Sequence, residues 1–538
     1  MQKIRSRRKR VAALTAGAAL APVCSGLASL LGYPLYPASY AWNQSITNAP
    51  VAANSATFIA EIGGSVHIHP DWGDDSPTNG ASPLYGIPFN VVHGNSTAKI
   101  NVVIDNYASE SDPVPVPIPA GAVIEGDYQN GPNTNGPGYN PNQRGDSHLI
   151  VWDEDNNIGY EFYEASRPTE TPFSGKPSGG KWHAAQESVW YFNTNSFRTL
   201  GDTSADAAGL SILAGLARPD EGLPTSQGGQ GAINHALRMT LLPIDINLQY
   251  VYPASHMITP KSPGIIPMGT RLRLKNTTAI NNLINTMGPQ SQILARAMQQ
   301  YGLILADAGS SMYVSGTSAA KNATNGISLT WNMDNDVVGG ITQLTASDFD
   351  VVNLTPIVTG LSAKNASPGS QVTIIGQNFS GAAGHESVFF GTNAASSVSV
   401  LSDTQISVTV PGGSGNVDVT VESGTNEVDY MSESPSDNIN APIFGYGISA
   451  LTIADKFTFL PALPTFQHIT IGGGKIIING ANNSGPGGTY HLWTSTNLLL
   501  PRANWTVLAS GSFDSNGKFG FTNSLGTNPQ EFYYLAEP

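Results

Sequence analysis

Short apolar runs broken by turn residues set the tightest limit on what this chain can fold into. Its 538 residues include 58 Gly and 37 Pro, so many turns and short strands are expected. Hydrophobic residues make up 40% and charged residues only 12%, the balance of a globular, weakly charged, β-leaning protein. The length exceeds what one core organises, which predicts three or four domains. A formal charge of −14 leaves no basic stripe to neutralise phosphates and argues against a nucleic-acid partner.

Residues 1–41 read as an export leader. "MQKIRSRRKR" places its Lys and Arg ahead of the apolar run "VAALTAGAALAPVCSGLASLLG", and Ser39-Tyr40-Ala41 supplies a small-residue cleavage site. Arg7-Arg8 hints at twin-arginine export, whereas the residues after the pair suit an ordinary Sec signal better. The run is also long enough for a retained anchor. Each route predicts a secreted, extracellular or cell-surface protein. Cys24, the only cysteine, lies inside the leader behind a Val23 too bulky for a lipidation site. The mature chain is therefore expected to have no disulfide and no Cys-based metal site, and to rest on large β cores.

Residues 43–350 are expected to form one large β-sandwich-type unit. "KINVVIDNY" alternates Ile100, Val102 and Ile104 with polar positions, "HLIVW" and "IGYEFYEA" flank the turn "DEDNN" as a hairpin, and "HALRMTLL" and "TRLRLK" read as strands. "QSQILARAMQQYGLILA" carries Ile293, Leu294, Ala297, Met298 and Tyr301 at helical spacing and is the one convincing helix. The Gly- and Asn-rich 129–145 reads as a surface loop ahead of Asp146 and His148. Residues 431–465 read as a linker and 466–538 as a C-terminal β module.

Three stretches resemble known families. "LTPIVTGLSAKNASPGSQVTIIGQNFSG", "FFGT" and "ISVTVP" resemble an IPT/TIG domain over 354–430, which implies a small immunoglobulin-like sandwich serving as spacer or binding module. "LWTSTNL", "WTVLASGSFDSNGKFGFTN" and "FYYL" resemble the C-terminal β module of secreted Verrucomicrobia-type proteins, implying export, surface attachment or substrate proximity. "GDSHLIVWD", "TSADAAGLSILAGLARPDE", "GAINHALRMT" and "YGLILADAGSSMYVSG" resemble an uncharacterised family of secreted bacterial proteins, a resemblance that carries no assigned residue. The implied architecture is mostly β and multidomain.

Seven of the ten histidines fall between His67 and His256, which puts any chemistry in the first half. Hydrolysis of a glycosidic bond needs an acid and a second carboxylate, and Asp146, Glu161 and Asp206 are the candidates, with His148 or His235 as positioning groups. On a strand, Glu161 and Tyr163 share one face while Tyr160, Phe162 and Glu164 share the other. Trp152, Tyr160, Tyr163 and Trp182 could form sugar platforms. Asp206 or Ser204 could instead cap a short helix, and His148 and His235 could be satisfied core histidines. His67, His69 and Asp71 would lie on one strand face as a possible metal chelate if Pro70 did not end the strand. With no serine-hydrolase elbow and no phosphate-binding loop, nucleotides are not expected and no cofactor is implied. The expected function is a secreted glycoside hydrolase acting on an extracellular polysaccharide. The alternatives are a non-catalytic glycan-binding adhesin and a metal-dependent enzyme built on His67 and His69.

Overall fold

The computed structural model describes residues 28–38, 40–73, 86–127, 145–317, 329–379, 386–425, 444–460, 464–482 and 488–536. Residues 1–27, with Cys24, and the 129–145 loop apart from Gly145 lie outside them. The chain is mostly β, with 36% strand and 15% helix.

Two sheets organise the first half. The larger is built from β1 (His69–Asp71), β6 (Leu237–Leu241), β7 (Arg271–Leu274), β8 (Leu303–Ala308), β9 (Tyr313–Ser315) and β10 (Phe349–Val351), in the order β10-β7-β8-β6-β9-β1. Within it β6 runs parallel to β8, and β1 parallel to β9. The smaller comprises β2 (Asn90–Val92), β3 (Leu149–Asp153), β4 (Ile158–Tyr163) and β5 (Gln186–Tyr191), in chain order. The expected hairpin is β3–β4, with Asp153 already paired to Ile158. Alternation along these strands sends Ile150, Trp152 and Trp190 into the main core. It sends Leu149, Val151, Tyr160 and Phe162 into a second cluster on the opposite face.

The predicted helix is α4 (Pro289–Gln300), with Pro289 in its first turn and Leu294, Ala297 and Met298 buried; the expected helical stretch ran on to Ala306, but its end "LILA" is strand β8. It is joined by α1 (Ser55–Ile62), the single-turn α2 (Ile212–Gly215) and α3 (Thr278–Thr286). The expectation of one helix in this unit was too sparse, because α1 and α2 are too short to show a full apolar period and Asn dilutes that of α3. Among the described residues, no helix is long and apolar enough to cross a membrane.

Three boundaries move. Leu30, Leu35, Tyr36 and Tyr40 are all at most 1% exposed and belong to the main core. Tyr36 and Tyr40 stack at 3.8 Å, and Asn43 Nδ2 donates to the carbonyls of Leu35, Tyr36 and Pro37. A cut after Ala41 would pull this strap out of the core, so the folded unit begins by Ala28 rather than at 43. Pro70 does not end its strand: it sits inside β1 at the sheet edge, where a missing N–H is tolerated. The expected linker 431–465 contains strand Lys456–Phe459, paired to Asn416–Asp418, with Phe457 in the sandwich core at 1% exposure.

That sandwich sets one sheet (Ile357–Leu361, Gln371–Gln377, Gln405–Thr409, Ser397–Ser402) against a second containing Glu386–Phe390 and Asn416–Thr425. Val372, Ile374, Val388, Phe390, Ile406 and Val421 interleave between the sheets. The tail is a smaller sandwich of two three-stranded sheets around Ile478, Leu492 and Leu535.

Candidate functional site

A break in register aims one acid into a cleft. Between β6 and β8, Met239 pairs with Leu305 but Thr240 pairs with Asp307, so Ala306 is the extra residue of a bulge. A bulge re-aims the side chain beside it. The freed Ala306 carbonyl accepts the Ala208 N–H at 2.9 Å, docking the loop that carries Asp206. Gly209 lets the loop turn: its φ is +70°, and a Cβ there would lie 1.9 Å from Ser255 Oγ. The Ser204 hydroxyl accepts the Asp206 N–H at 3.0 Å and lies 2.7 and 2.6 Å from the carbonyls of Asp206 and Leu210.

Arg238, on the central strand β6, joins these pieces. Its Nε and Nη2 donate to the two oxygens of Asp206, each at 2.7 Å, and Nη2 also donates to Asp307 Oδ2 at 3.0 Å. Nη1 donates to Ser315 Oγ on β9. One guanidinium thus serves two carboxylates, and the fully buried Asp206 takes the bidentate share. Burial and the neighbouring Asp206 push the Asp307 carboxyl well above the usual carboxylate range, against Arg238. This favours the protonated form of Asp307, whose side chain is 16% exposed.

The cleft beside it has a cavity volume of about 390 Å³, and its walls include Tyr107, Asp146, Tyr163, Ala205, His256 and Asp307. Asp146 is exposed at its mouth, and its carboxylate makes no hydrogen bond or ion pair among the described residues. Burial, with Asp146 nearby, keeps the Tyr163 phenol protonated. His256 Nδ1 lies 2.7 Å from the Ala207 carbonyl and holds the loop from the far side. Behind Asp146, His148 is buried at 1% exposure, with Nδ1 2.6 Å from Glu125 Oε2 and Nε2 3.1 Å from the Ala205 carbonyl.

The expected residues divide. Asp146, His148, Tyr163 and Asp206 gather here, Asp206 as a buried anchor rather than a reacting group. The helix cap expected of Ser204 or Asp206 belongs to Ser211, whose Oγ accepts the Ala214 N–H in α2. Glu161 faces the main core as the alternation required, yet it is fully buried. Its oxygens accept from Trp190 Nε1, Ser211 Oγ and the amides of Ile212 and Leu213 at 2.8–3.0 Å, so it anchors α2 and has no access to a substrate. His235 is equally buried, between Glu221 Oε1 at 3.0 Å and the Ala236 carbonyl at 2.7 Å. It precedes β6, at the opposite end from the Thr240–Asp307 level. Trp152 and Tyr160 are core residues, and Trp182 packs on the second cluster. His67 Nδ1 meets the Thr342 carbonyl at 2.7 Å, while the His69 ring stacks on Tyr313 at 4.0 Å. The two imidazoles do not converge, and no group of three or more His, Cys, Asp or Glu among the described residues is arranged to hold a metal ion.

Sequence reasoning missed Asp307, Arg238 and Glu125. The available signal was a charge inside an apolar run, Arg238 in "HALRMTLL" and Asp307 closing "YGLILAD", because a charge that a buried strand carries inward must be paired.

Residues 356–437 match the IPT/TIG domain family, so the middle sandwich is an IPT/TIG domain. No curated protein matches the chain. Among solved structures it is similar to an auxiliary nutrient binding protein from Bacteroides thetaiotaomicron, at 15% identity over 32% of this chain and 37% of that one, TM-score 0.16. A gamma-CGTase from Alkalophilic bacillus clarkii matches at 13% identity over 36% and 26%, TM-score 0.15. SGBP-B of a Bacteroides ovatus mixed-linkage glucan utilization locus matches at 17% identity over 35% and 54%, TM-score 0.14. The chain thus spans only part of the length of the structures it matches, and likeness at this level says nothing of the cleft.

Proposed function

We propose that the cleft between Asp146 and Asp307 is the active site of an exported glycoside hydrolase. The observation that carries this reading is the contrast between its two acids. Burial and the neighbouring Asp206 raise the Asp307 carboxyl against Arg238 and favour its protonated form; Asp146 lines the same cavity, exposed and without a hydrogen bond or ion pair among the described residues. Environments that push two carboxyls apart divide acid from base. In this reading Asp307 protonates the glycosidic oxygen as the C–O bond breaks. Asp146 serves the sugar carbon, as nucleophile or as the base that takes a proton from water, and water supplies the hydroxyl and returns the lost proton. Tyr107 and Tyr163 offer rings for the apolar faces of a pyranose, and the volume suits a bound sugar segment.

The test is product release from a broad polysaccharide panel by the wild-type chain, Asp146→Asn and Asp307→Asn. Each variant should cut turnover by about 10²–10⁴-fold, the usual worth of a positioned acid or base, and should still bind the glycan. Full hydrolysis by both variants would defeat the assignment. Retention of one glycan without product would identify the cleft as a binding site.

A further inference from the structure

The buried His148 and the partly buried Glu125 form a pair that the acid–base step leaves unused. Their segments are tied twice: the Glu125 N–H donates to the His148 carbonyl at 2.9 Å, and the His148 N–H donates to Glu125 Oε2 at 3.3 Å. Both ring nitrogens of His148 face acceptors, a carboxylate at 2.6 Å and the Ala205 carbonyl at 3.1 Å. A neutral imidazole has one N–H and satisfies only one of them; the imidazolium satisfies both.

We propose that His148 is a positioning residue whose imidazolium form struts the 203–207 loop against the Glu125 segment, and that Glu125 makes this strut dependent on protonation. The inference rests on the hydrolase reading for its catalytic consequence. Ala205 is followed by Asp206, which sets Arg238, and Arg238 in turn holds Asp307. Movement at Ala205 therefore reaches the acid through three contacts. The groups facing His148 are Glu125, Asp146, Arg238, Asp307 and the Tyr163 ring at 6.0 Å. Burial disfavours the cation, yet Glu125, with Asp146 behind it, outweighs burial and Arg238 and holds the imidazolium up to about 9. Above that pH the remaining proton stays with the carboxylate, and Nε2 turns a lone pair on the Ala205 carbonyl. A Gln at 125 removes the conflict, because its amide can donate to Nδ1 while Nε2–H still serves Ala205.

The experiment compares the full-length wild type, Glu125→Gln and His148→Ala from pH 6 to 10. It measures amide exchange of residues 203–208, and kcat and KM on whichever glycan the panel shows to be cleaved. In the wild type, exchange beyond the intrinsic base-catalysed rise should increase about tenfold as pH passes 9, with kcat falling more than KM changes. Glu125→Gln should lack that transition, and His148→Ala should show the loosened loop at every pH. A Glu125→Gln chain that keeps the wild-type transition overturns the proposal. Should His148→Ala fail to fold, the near-isosteric Gln variant carries the test. Absence of product from the wild type overturns the hydrolase reading alone, since exchange is read without turnover.

Discussion

Arg238 holds more of this cleft together than either acid. Removing its charge strands Asp206, which is fully buried and has its carboxylate oriented by that guanidinium. Breaking a buried pair from one side costs about 3–5 kcal/mol. Arg238→Met should lower unfolding stability by that amount in urea, and adding Asp206→Leu should recover part of it; a single variant as stable as the wild type would refute the pairing. Glu161 makes the complementary case. It looked catalytic because it is an acid among aromatics, and its face was read correctly from alternation. What the strand could not reveal is that Ser211, Ile212 and Leu213, about fifty positions later, would spend their donors on it. Glu161→Ala should cost about 2–4 kcal/mol through those unsatisfied donors, with kcat per folded molecule unchanged. Asp146, His148 and Tyr163 were legible because they share a strand neighbourhood. Asp307 was not, since its exposure depends on a bulge against a strand some seventy residues away in the chain.

At the scale of elements, period and punctuation were informative where packing was local. The β3–β4 hairpin formed close to where alternation put it, and α4 formed over the first part of the expected helical stretch, whose end, Leu303–Ala306, is strand β8. The strap from Ala28 to Trp42 was misread because a leader and a buried strap share one composition, apolar with small residues. Its place is decided by distant partners: the Tyr40 hydroxyl donates to the Ser196 carbonyl at 2.6 Å, and Arg218 Nη2 donates to the Ser29 carbonyl at 3.1 Å. A chain beginning at Ala28 should fold, whereas one beginning at Trp42 gives up Leu30, Leu35, Tyr36 and Tyr40. Each buried side chain of this size contributes about 1.5–3 kcal/mol, so the shorter chain should be insoluble or melt far lower. Equal melting of the two would show that the strap adds nothing to the core.

For the whole molecule the buried acids set a common direction with pH. Burial, against the donating Val114 amide, lifts Glu187 to about 8, and one of its oxygens has no hydrogen-bond partner among the described residues. Burial likewise lifts Glu161 to about 7, against the donors of α2. In the unfolded chain both titrate near 4.3. A carboxyl with a raised folded pKa contributes its stability below the unfolded value and loses it as pH climbs through the folded one. His148, raised to about 9, behaves alike: its contribution is complete below about 6.5 and is lost through 9. Asp105 runs the other way, held low by Ser174 and His183 against burial, but its window lies below the ordinary Asp range. The urea midpoint, followed by fluorescence of the buried Trp152 and Trp190, should therefore fall steadily from pH 5 to 9. General repulsion in a chain of net charge −14 would slope the same way, so the slope alone does not identify its source. Glu187→Gln separates the two, because it changes the overall charge little but removes one of the largest buried titrations. Its midpoint should match or exceed the wild type at pH 9 and decline less steeply from pH 5. An unchanged slope would show that Glu187 does not carry the loss, and a midpoint rising with pH would contradict the burial of these acids.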